Sequence, residues 1–509
     1  MAVDETGRGI YEDKALKNLY ATENVYNMIK HEKTVGIIRD STEDDYFEVV
    51  EPVGVIAAIT PVTNPTSTTL FKSIIAVKSC NPIIFAFHRC AHNCSQHAAE
   101  IVRNAAVREG APAHCIQWIE TPSRKAITAL LTHPKVAMIL ATGGASLVNA
   151  AYSSDKPAIG VGPGNTPCYI DKTADLRRTV TDLVLSKTFD NGMICSSEQS
   201  LVVDRAISDE VVSLLRSMGC YFLNPDEVQK LSAVAIGRTK AINPDIIGQP
   251  AEKIAEMAGL SVPKETKILI APLDGVGPAY PLSGKKLSPI LSLYLARNQQ
   301  EAIERCEQII AHGELGHTAV IHSEDANAIR VFSNRVRTTR LLANSSSSHG
   351  GPGDLYNTYV PSLTFAVVGL PPIVPQPNVS ARDLINVKRV ARRKLRLRWF
   401  KMPPEIYFEP GSLRFLARLP GKRAFVVAAN SAVHSGIIAR ALSFLKSAGI
   451  ATRVFQGIEA DPEPGVVSRG AEDMASFHPD TIVAVGGGGL RSTVNARRSV
   501  DAERHGYRE

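Results

Sequence analysis

The chain has 509 residues and a formal net charge of +7 at pH 7, with 44% hydrophobic and 21% charged residues. This composition excludes a disordered chain, and a prior of one domain per ~150 residues suggests about three domains. The polar start is unlike a secretory signal peptide and no apolar run reaches the ~18 residues of a membrane span, so we expect a soluble cytoplasmic protein without a membrane partner.

The positive charge and the eight cysteines limit which binding partners and which cysteine-based sites are expected. Lys and Arg are spread along the chain except for one basic stretch near residue 390. A solvated surface is therefore favoured, with a phosphate-carrying nucleotide or coenzyme as the alternative, and nucleic acid is not expected. No CxxC pair is present, so neither a zinc ribbon nor a thioredoxin-like site is indicated, and in a reducing compartment the thiols are expected to stay free.

The first third of the chain alternates strand-like and helix-like patterns. The run VGVIAAI at 53–59 predicts a strand, and the following NPTSTTLFKSIIAVKS predicts a helix that Asn64, Thr66 or Ser67 could cap. Strands at 83–85 and 138–141 and a helix at 98–108 are also predicted. Such a succession is typical of a parallel nucleotide-binding sheet in an α/β fold.

A second α/β succession begins near residue 190 and continues to about residue 370. The Pro-rich GLPPIVPQP that follows predicts a linker or arm, and the basic NVKRVARRKLRLRWFK favours a solvated helix, with an inter-domain contact as the alternative. Beyond residue 403, the segments AFVVAAN, ALSFLKSAG and TIVAVGGGG predict a third, shorter α/β segment that ends soon after its Gly run.

Cys195 is the sharpest chemical candidate, because it lies in the polar, turn-prone stretch FDNGMICSSEQS. A thiolate there could attack an aldehyde carbonyl to give a thiohemiacetal, which becomes a thioester after hydride loss. A single cysteine is also compatible with a small buried hydrophobe. The local sequence leaves both readings open.

Two further side chains have a chemical and a structural interpretation. Asn64 follows a strand, where its amide could donate to a developing oxyanion or simply cap the next helix. His317, in GELGHTAVIH, could deprotonate an incoming thiol or orient a cofactor, or it could be a structural residue of the core.

Two glycine-rich turns are candidates for cofactor binding. Thr142, Gly143 and Gly144 follow a strand and open a predicted helix, where free backbone N–H groups suit a pyrophosphate. Gly162 and Gly164, in GVGPGNT, could let the backbone approach a nicotinamide or substrate closely. The first pattern is a weak signal, since many strand–helix turns contain glycines and no GxGxxG is present, and an ordinary tight turn explains the second equally well.

Together these segments resemble the bifunctional aldehyde–alcohol dehydrogenases, whose first half is a CoA-acylating aldehyde dehydrogenase. The matching text includes TPVTNPTSTTLFKSIIAVK, LATGGASLVNAAYSSDKPAIGVGPGNTP, SKTFDNGMICSSEQS and GELGHTAV, in the family's order over roughly residues 8–400. From WFKMPPEIYF onward, the chain resembles the start of the iron-dependent alcohol dehydrogenase half.

The resemblance implies an aldehyde-dehydrogenase-like fold with two Rossmann-like parallel-sheet domains, followed by a truncated α/β nucleotide-binding-like domain. The implied bounds are 1–188 for a shortened NAD domain, 189–370 for a catalytic domain, 371–403 for an arm and 404–509 for the partial last domain. It also implies a homo-oligomer, since full-length relatives form filaments. No iron is expected, because its ligands would lie beyond the end of the chain.

The resemblance assigns roles to the candidates. It implies that Cys195 is the nucleophile, Asn64 the oxyanion donor and His317 an active-site histidine, with 142–144 in the NAD site. The implied reaction interconverts acetaldehyde and acetyl-CoA. Hydrolytic relatives usually have a water-activating Glu in the region of GVGPGNTP, and none is present here, which favours release of the acyl group to CoA.

Lys285 is a departure from the family, which usually has Glu before KLSP near the cofactor ribose. This charge reversal, together with the shortened beginning and the altered arm, leaves a second hypothesis open. The chain could be a catalytically inactive homologue that acts as an assembly subunit. A hydrolytic aldehyde dehydrogenase or an acyl-phosphate reductase is a third possibility.

Overall fold

The chain forms two compact units, Met1–Lys394 and Leu395–Glu509, in a computed structural model. The structure describes residues 1–41, 45–162, 164–237, 242–313, 316–365, 378–392, 405–458 and 463–486. GLPPIVPQP and the glycines after Gly486 lie outside the described residues. No helix in the described part is long and apolar enough to cross a bilayer.

The first unit contains helices distributed along its whole length. They are α1 (Ala2–Thr6), α2 (Tyr11–Leu19), α3 (Val25–Ile29), α4 (Pro65–Lys78), α5 (His92–Arg108), α6 (Arg124–Thr132), α7 (Ala145–Tyr152), α8 (Leu176–Thr188), α9 (Ser208–Ser217), α10 (Pro225–Ala235), α11 (Ala251–Met257), α12 (Gln299–His312), α13 (Ala326–Arg335) and α14 (Ser347–Gly350). A π-helical turn, Tyr20–Asn24, joins α2 to α3.

The strands of the first unit form three sheets. They are β1 (Gly36–Ser41), β2 (Tyr46–Pro52), β3 (Val55–Ile59), β4 (Ile83–Ala86), β5 (Ile116–Trp118), β6 (Val136–Thr142), β7 (Ala158–Val161), β8 (Thr166–Ile170), β9 (Glu198–Asp204), β10 (Cys220–Phe222), β11 (Ile268–Pro272), β12 (Ile290–Ala296), β13 (Gly316–His322), β14 (Thr338–Ala343) and β15 (Ile385–Ala391).

Two of these sheets are parallel and confirm the predicted α/β fold. One has the strand order β5-β4-β3-β6-β7, and the other has the order β10-β11-β12-β9-β8-β13-β14. The third is antiparallel, in the order β1-β2-β15. Since β8 belongs to the seven-stranded sheet, that sheet begins before residue 189, and the predicted domain bounds remain predictions.

Strand β3 shows why continuous apolar runs form these sheets. Its side chains alternate between two faces, so Ile56 and Ala58 join one buried core with Phe71 of α4, whereas Ala57 and Ile59 join a core on the opposite face. A parallel sheet covered on both faces requires apolar residues at every position. The predicted strands at 53–59, 83–85 and 138–141 are therefore present, with small shifts at their ends.

Helix α5 begins at His92, six residues before the predicted start at residue 98. The carboxylate of Glu5 accepts hydrogen bonds from the backbone N–H groups of Asn93 (2.9 Å) and Cys94 (2.7 Å). This caps the free donors of the first turn from a residue far away in sequence. The local sequence contains no sign of that cap.

The helix predicted for the basic segment 386–401 is wrong where the structure describes that segment. Residues 386–391 belong to strand β15 instead. The cations of the segment face acids on β1 and β2, as Arg389 Nη2 donates to Glu48 (2.7 Å) and Arg392 pairs with Asp40 (3.0 Å). Each exposed cross-strand pair contributes only about 0.2–1 kcal/mol, but together they favour this pairing. The partners are more than 300 residues apart, so no local pattern reveals them.

The second unit contains a small parallel sheet with helices. Its elements are α15 (Asn430–His434), α16 (Ile437–Ser447), α17 (Pro464–Phe477), β16 (Arg423–Ala429), β17 (Ala451–Ile458) and β18 (Thr481–Val485), with the strand order β17-β16-β18. The segments AFVVAAN and ALSFLKSAG have the predicted strand and helix, and Thr481–Val485 forms the predicted strand before the Gly run.

Candidate active site

Cys195 lies in the thiol loop, residues 189–197, between α8 and β9. Three consecutive residues of this loop are left-handed, Asp190 (φ 48°), Asn191 (φ 52°) and Gly192 (φ 73°). Asp, Asn and Gly are the residues that tolerate this conformation best. They turn the chain sharply, so the half-buried Cys195 lies on a bend instead of within a regular element.

The charge around Cys195 is positive. Burial raises the pKa of the thiol, whereas the positive charges of Lys285, Arg340 and Lys17 lower it, with Lys285 the largest of the three. A thiolate is the nucleophilic form, and nearby cations favour it. The charge of Lys285, the residue that departs from the family pattern, therefore favours the thiolate of the predicted nucleophile.

Asn64 occupies the N-cap position of α4, but its side chain makes no cap hydrogen bond. Its Oδ1 accepts from Lys17 Nζ at 2.8 Å instead. The same ammonium donates to the carbonyl oxygen of Met193 at 3.1 Å, two residues before Cys195. One lysine thus connects Asn64 with the thiol loop, which favours the chemical interpretation of Asn64 over the capping one.

His317 is buried on β13, and its Nδ1 lies 2.8 Å from Thr318 Oγ1. Its Nε2 has no hydrogen-bond partner among the described residues. Burial, with a smaller effect from nearby Arg340 and Lys285, holds the pKa of His317 well below its usual range, so the imidazole is neutral at pH 7. A neutral histidine with a free nitrogen is equipped to accept or donate one proton.

Arg340 on β14 is fully buried beside this histidine. Its guanidinium donates to the backbone oxygen of His317 (3.3 Å), to Thr318 Oγ1 (3.1 Å) and to Asn378 Oδ1 (2.8 Å). Its charge also acts on Cys195. Arg340 therefore fixes the strand that carries His317 and contributes to the positive field at the thiol.

Gly164 packs directly on His317. A Cβ at residue 164 would lie 2.4 Å from His317 Cγ and 2.7 Å from its Cβ, well inside contact distance. The absence of a side chain at Gly164 makes room for the imidazole. Gly162 is half-buried, and no contact among the described residues assigns it a role.

A second region, here called the cofactor cavity, has a volume of about 480 Å³ and lies at the carboxyl ends of β3, β4 and β6. Thr142, Gly143 and Gly144 line it together. A Cβ at Gly144 would meet no atom within 4 Å, and Gly144 is the N-cap residue of helix α7, with no side-chain cap hydrogen bond. A helix N-terminus that opens into a cavity suits a phosphate group.

Lys72 hydrogen-bonds two residues that line this cavity, Ile59 and Thr142. Its fully buried ammonium donates to the backbone oxygens of Ile59 (2.8 Å) and Leu140 (2.9 Å) and to Thr142 Oγ1 (3.0 Å). Burial lowers the pKa of Lys72 to about 7. The three bonds connect the ends of β3 and β6 and fix the turn that begins at Thr142.

The sequence analysis missed Lys17, Lys72, Asp190 and Arg340. A weak signal existed for Lys72, because it is an isolated cation within an apolar helical run. The pair Lys14 and Lys17 lies at i,i+3 spacing, so a shared face of one helix could have been inferred. Nothing local indicated what that face contacts.

Comparisons with known proteins show which families the two parts of the chain resemble. Residues 12–218 match the model of the aldehyde dehydrogenase family, and residues 403–496 match that of iron-containing alcohol dehydrogenases. The aldehyde-alcohol dehydrogenase of Streptococcus pneumoniae is 44% identical over 96% of this chain. The alignment covers 56% of that protein, so the chain spans about half the length of the curated relatives it matches.

Two solved structures resemble more than three quarters of the chain. An acetylating aldehyde dehydrogenase from Geobacillus thermoglucosidasius has a TM-score of 0.75 and 44% identity, over 79% of this chain and 88% of its own. A propionaldehyde dehydrogenase from Rhodopseudomonas palustris, with bound propionyl-CoA, has a TM-score of 0.69 and 28% identity, over 77% and 83% respectively.

Proposed function

The chain belongs to the aldehyde dehydrogenase family, and from that premise we propose that it is an NAD-dependent, CoA-acylating enzyme that interconverts acetaldehyde and acetyl-CoA. The observation that carries this proposal is the arrangement around Cys195. Lys17 bonds both Asn64 and the thiol loop, and its positive charge, with those of Lys285 and Arg340, lowers the pKa of the thiol. A homo-oligomer and a cytoplasmic location remain predictions.

Acyl transfer begins at Cys195. Its thiolate attacks the carbonyl carbon of the aldehyde, which forms the sulfur–carbon bond of a thiohemiacetal and places negative charge on oxygen. The Nδ2 group of Asn64 can donate a hydrogen bond to that oxyanion, because its Oδ1 is already held by Lys17. The positive charges of Lys285 and Arg340 favour the same charge distribution.

The cofactor cavity fits a dinucleotide. The start of α7 at Gly144 supplies backbone N–H groups for a pyrophosphate, and Thr142 and Gly143 complete the turn. We assign the cavity to NAD, whose nicotinamide accepts a hydride when bound. The protein's part in that step is to hold the reacting carbon on Cys195.

In this proposal the acyl group is released from Cys195 to the thiol of CoA. Residues 160–167, where hydrolytic relatives usually have a water-activating Glu, contain none. The CoA thiol attacks the thioester carbon, the bond to Cys195 breaks, and Cys195 leaves as a thiolate. His317 takes the CoA proton on Nε2, which requires the tautomer in which Nδ1–H donates to Thr318 Oγ1. The propionyl-CoA bound to the Rhodopseudomonas palustris protein supports CoA as the acyl acceptor.

The test is nicotinamide absorbance with acetaldehyde and NAD, with and without CoA, for the wild type and Cys195→Ser. NADH that requires both CoA and Cys195 is expected. Turnover that is indifferent to CoA would point to a hydrolytic enzyme instead. A folded wild type without any turnover would contradict the proposal and leave the assembly subunit as the explanation.

A further inference from the structure

Helix α2 directs two lysines, Lys14 and Lys17, toward the thiol loop. Both are almost fully buried, whereas Leu16 and Leu19 of the same helix are about half exposed. This pattern is the reverse of an ordinary amphipathic helix. Burying two ammonium groups is costly unless they are paired and hydrogen-bonded, so their contacts indicate what the helix does.

The two lysines share one partner, the fully buried carboxylate of Asp190. Lys14 Nζ lies 2.9 Å and Lys17 Nζ 2.5 Å from Asp190 Oδ2, while the backbone N–H of Ile10 donates to Oδ1 at 2.8 Å. Asp190 is the first of the three left-handed residues of the thiol loop. Both lysines therefore stabilise the bend before Cys195.

The remaining contacts distinguish the two lysines. Lys14 Nζ donates to the backbone oxygen of Thr63 at 3.1 Å. Lys17 Nζ donates to the side-chain Oδ1 of Asn64 at 2.8 Å and to the backbone oxygen of Met193 at 3.1 Å. Of this pair, Lys17 is the one that contacts a side chain assigned to the chemistry.

An ammonium group has only donors, so it determines how the neighbouring amide is oriented. The oxygen of Asn64 must face Lys17, and Nδ2 must face the other way. Among the described residues, Nδ2 has one contact, 3.5 Å long, to Thr63 Oγ1. Without Lys17, Oδ1 of Asn64 could instead accept from the first turn of α4, as N-cap asparagines commonly do.

We propose that Lys17 is a positioning residue, which holds Asn64 in the orientation that leaves Nδ2 free to donate to the oxyanion of the Cys195 adduct. This inference rests on the proposed function. Helix α2 is thus part of the active-site architecture, although it contributes no group that reacts. Lys14 has a structural role that is limited to Asp190 and Thr63.

The test compares Lys17→Met with Lys14→Met, which is the matched control because each variant removes one ammonium from Asp190. The readout is the burst of p-nitrophenolate when Cys195 is acylated by p-nitrophenyl acetate, a reaction that forms an oxyanion without any cofactor. Losing an oxyanion donor costs ~100- to 1000-fold, so we expect Lys17→Met to slow the burst by about 30- to 100-fold. Lys14→Met should slow it by less than about threefold, with a similar loss of thermal stability.

Two further measurements separate positioning from general damage. Alkylation of Cys195 by iodoacetamide forms no oxyanion, so its rate in Lys17→Met should fall by less than about threefold beyond its loss in Lys14→Met. The double variant Lys17→Met/Asn64→Ala should be within about threefold of Asn64→Ala, because residues that act as one unit are not additive.

Equal burst losses in the two lysine variants would overturn the proposal, and so would additive losses in the double variant. The burst requires neither NAD nor CoA. A wild type that shows the burst but no CoA-dependent NADH would therefore contradict the proposed function and still allow the test of Lys17. A wild type without the burst would overturn both, because Cys195 would then not react with carbonyl carbon.

Discussion

The cofactor cavity and the thiol loop are assembled in different ways. The cavity uses the carboxyl ends of neighbouring strands in one parallel sheet and the start of one helix, all within residues 59–147. The thiol site depends on distant residues, since Lys17 bonds both Asn64 and the thiol loop. Arg340 on β14 bonds the backbone of His317 and contributes positive charge at Cys195. The first site follows from local geometry, whereas the second depends on long-range contacts.

This difference determines how substitutions should behave. A change in the cavity should weaken one ligand and leave the chemistry at Cys195 intact. A change near the thiol loop should alter one chemical step, because each contributing group has its own task. Variants that separate ligand binding, thiol reactivity and acyl release test whether the two regions are as independent as their construction indicates.

The largest expected effect comes from Gly164→Ala. The new Cβ would overlap the imidazole of His317, which must move. General base catalysis contributes ~100- to 10,000-fold, so partial loss of the base should slow the CoA-dependent step by roughly 10- to 100-fold. Pre-steady-state NADH formation, which precedes that step, should change by less than about threefold.

His317→Ala is the matched comparison for Gly164→Ala. It should slow the same step and leave the burst of NADH in place. If Gly164→Ala loses the burst as well, or unfolds at a much lower temperature than His317→Ala, the glycine supports the fold and not the position of the base.

A smaller effect, on NAD affinity, is expected from substitutions at two adjacent glycines of the cofactor cavity. Gly144→Ala adds a Cβ where the protein has no atom within 4 Å, so the fold should be unaffected while the methyl group obstructs the approach of a phosphate. We expect NAD to bind roughly tenfold more weakly, which corresponds to about 1.4 kcal/mol. Fluorescence titration with NADH measures this, and thermal unfolding should show no change.

Gly143→Ala is the control for Gly144→Ala. A Cβ at Gly143 would lie 2.7 Å from Leu147 Cδ2, so this variant should lose thermal stability as the leucine adjusts. Equal NAD affinity in the wild type and in Gly144→Ala would show that the pyrophosphate does not approach the start of α7.

The sequence predicts the cofactor cavity better than the thiol site, because the cavity is built from neighbouring segments and the thiol site from distant ones. Strands β3, β4 and β6 are short apolar runs, and the turn at 142–144 immediately follows one of them. Parallel strands present their carboxyl ends at one edge, so local patterns suffice to expect a ligand there. The residue that local patterns missed is Lys72, which contacts this turn from inside a helix.

The thiol site required more than local patterns. Cys195, Asn64 and His317 were selected one by one, and each had a structural interpretation until the family resemblance favoured the chemical one. Lys17 contacts both residue 64 and residue 193, and no pattern in the intervening sequence predicts that these two residues lie close together. The strand β15 was mispredicted as a helix for a similar reason, because its acidic partners are distant in sequence.

The smallest effect concerns Lys285, where the charge differs from the family pattern. Its positive charge lowers the pKa of Cys195, and burial raises that pKa above the ordinary value for a thiol. Removing the charge in Lys285→Met should therefore raise the pKa further and reduce the thiolate fraction at neutral pH. Since one pKa unit corresponds to a tenfold change, we expect iodoacetamide to react about threefold to tenfold more slowly.

The pH dependence gives the direction of this effect independently. Below its pKa the thiol reacts faster as the pH rises, so the whole rate profile of Lys285→Met should shift to higher pH without a change in its plateau. Lys264→Met removes an exposed surface charge and should leave the profile in place. A profile of Lys285→Met that matches the wild type would mean that the thiol loop is controlled by Lys17 and Arg340, and that residue 285 belongs to the cofactor side of the comparison.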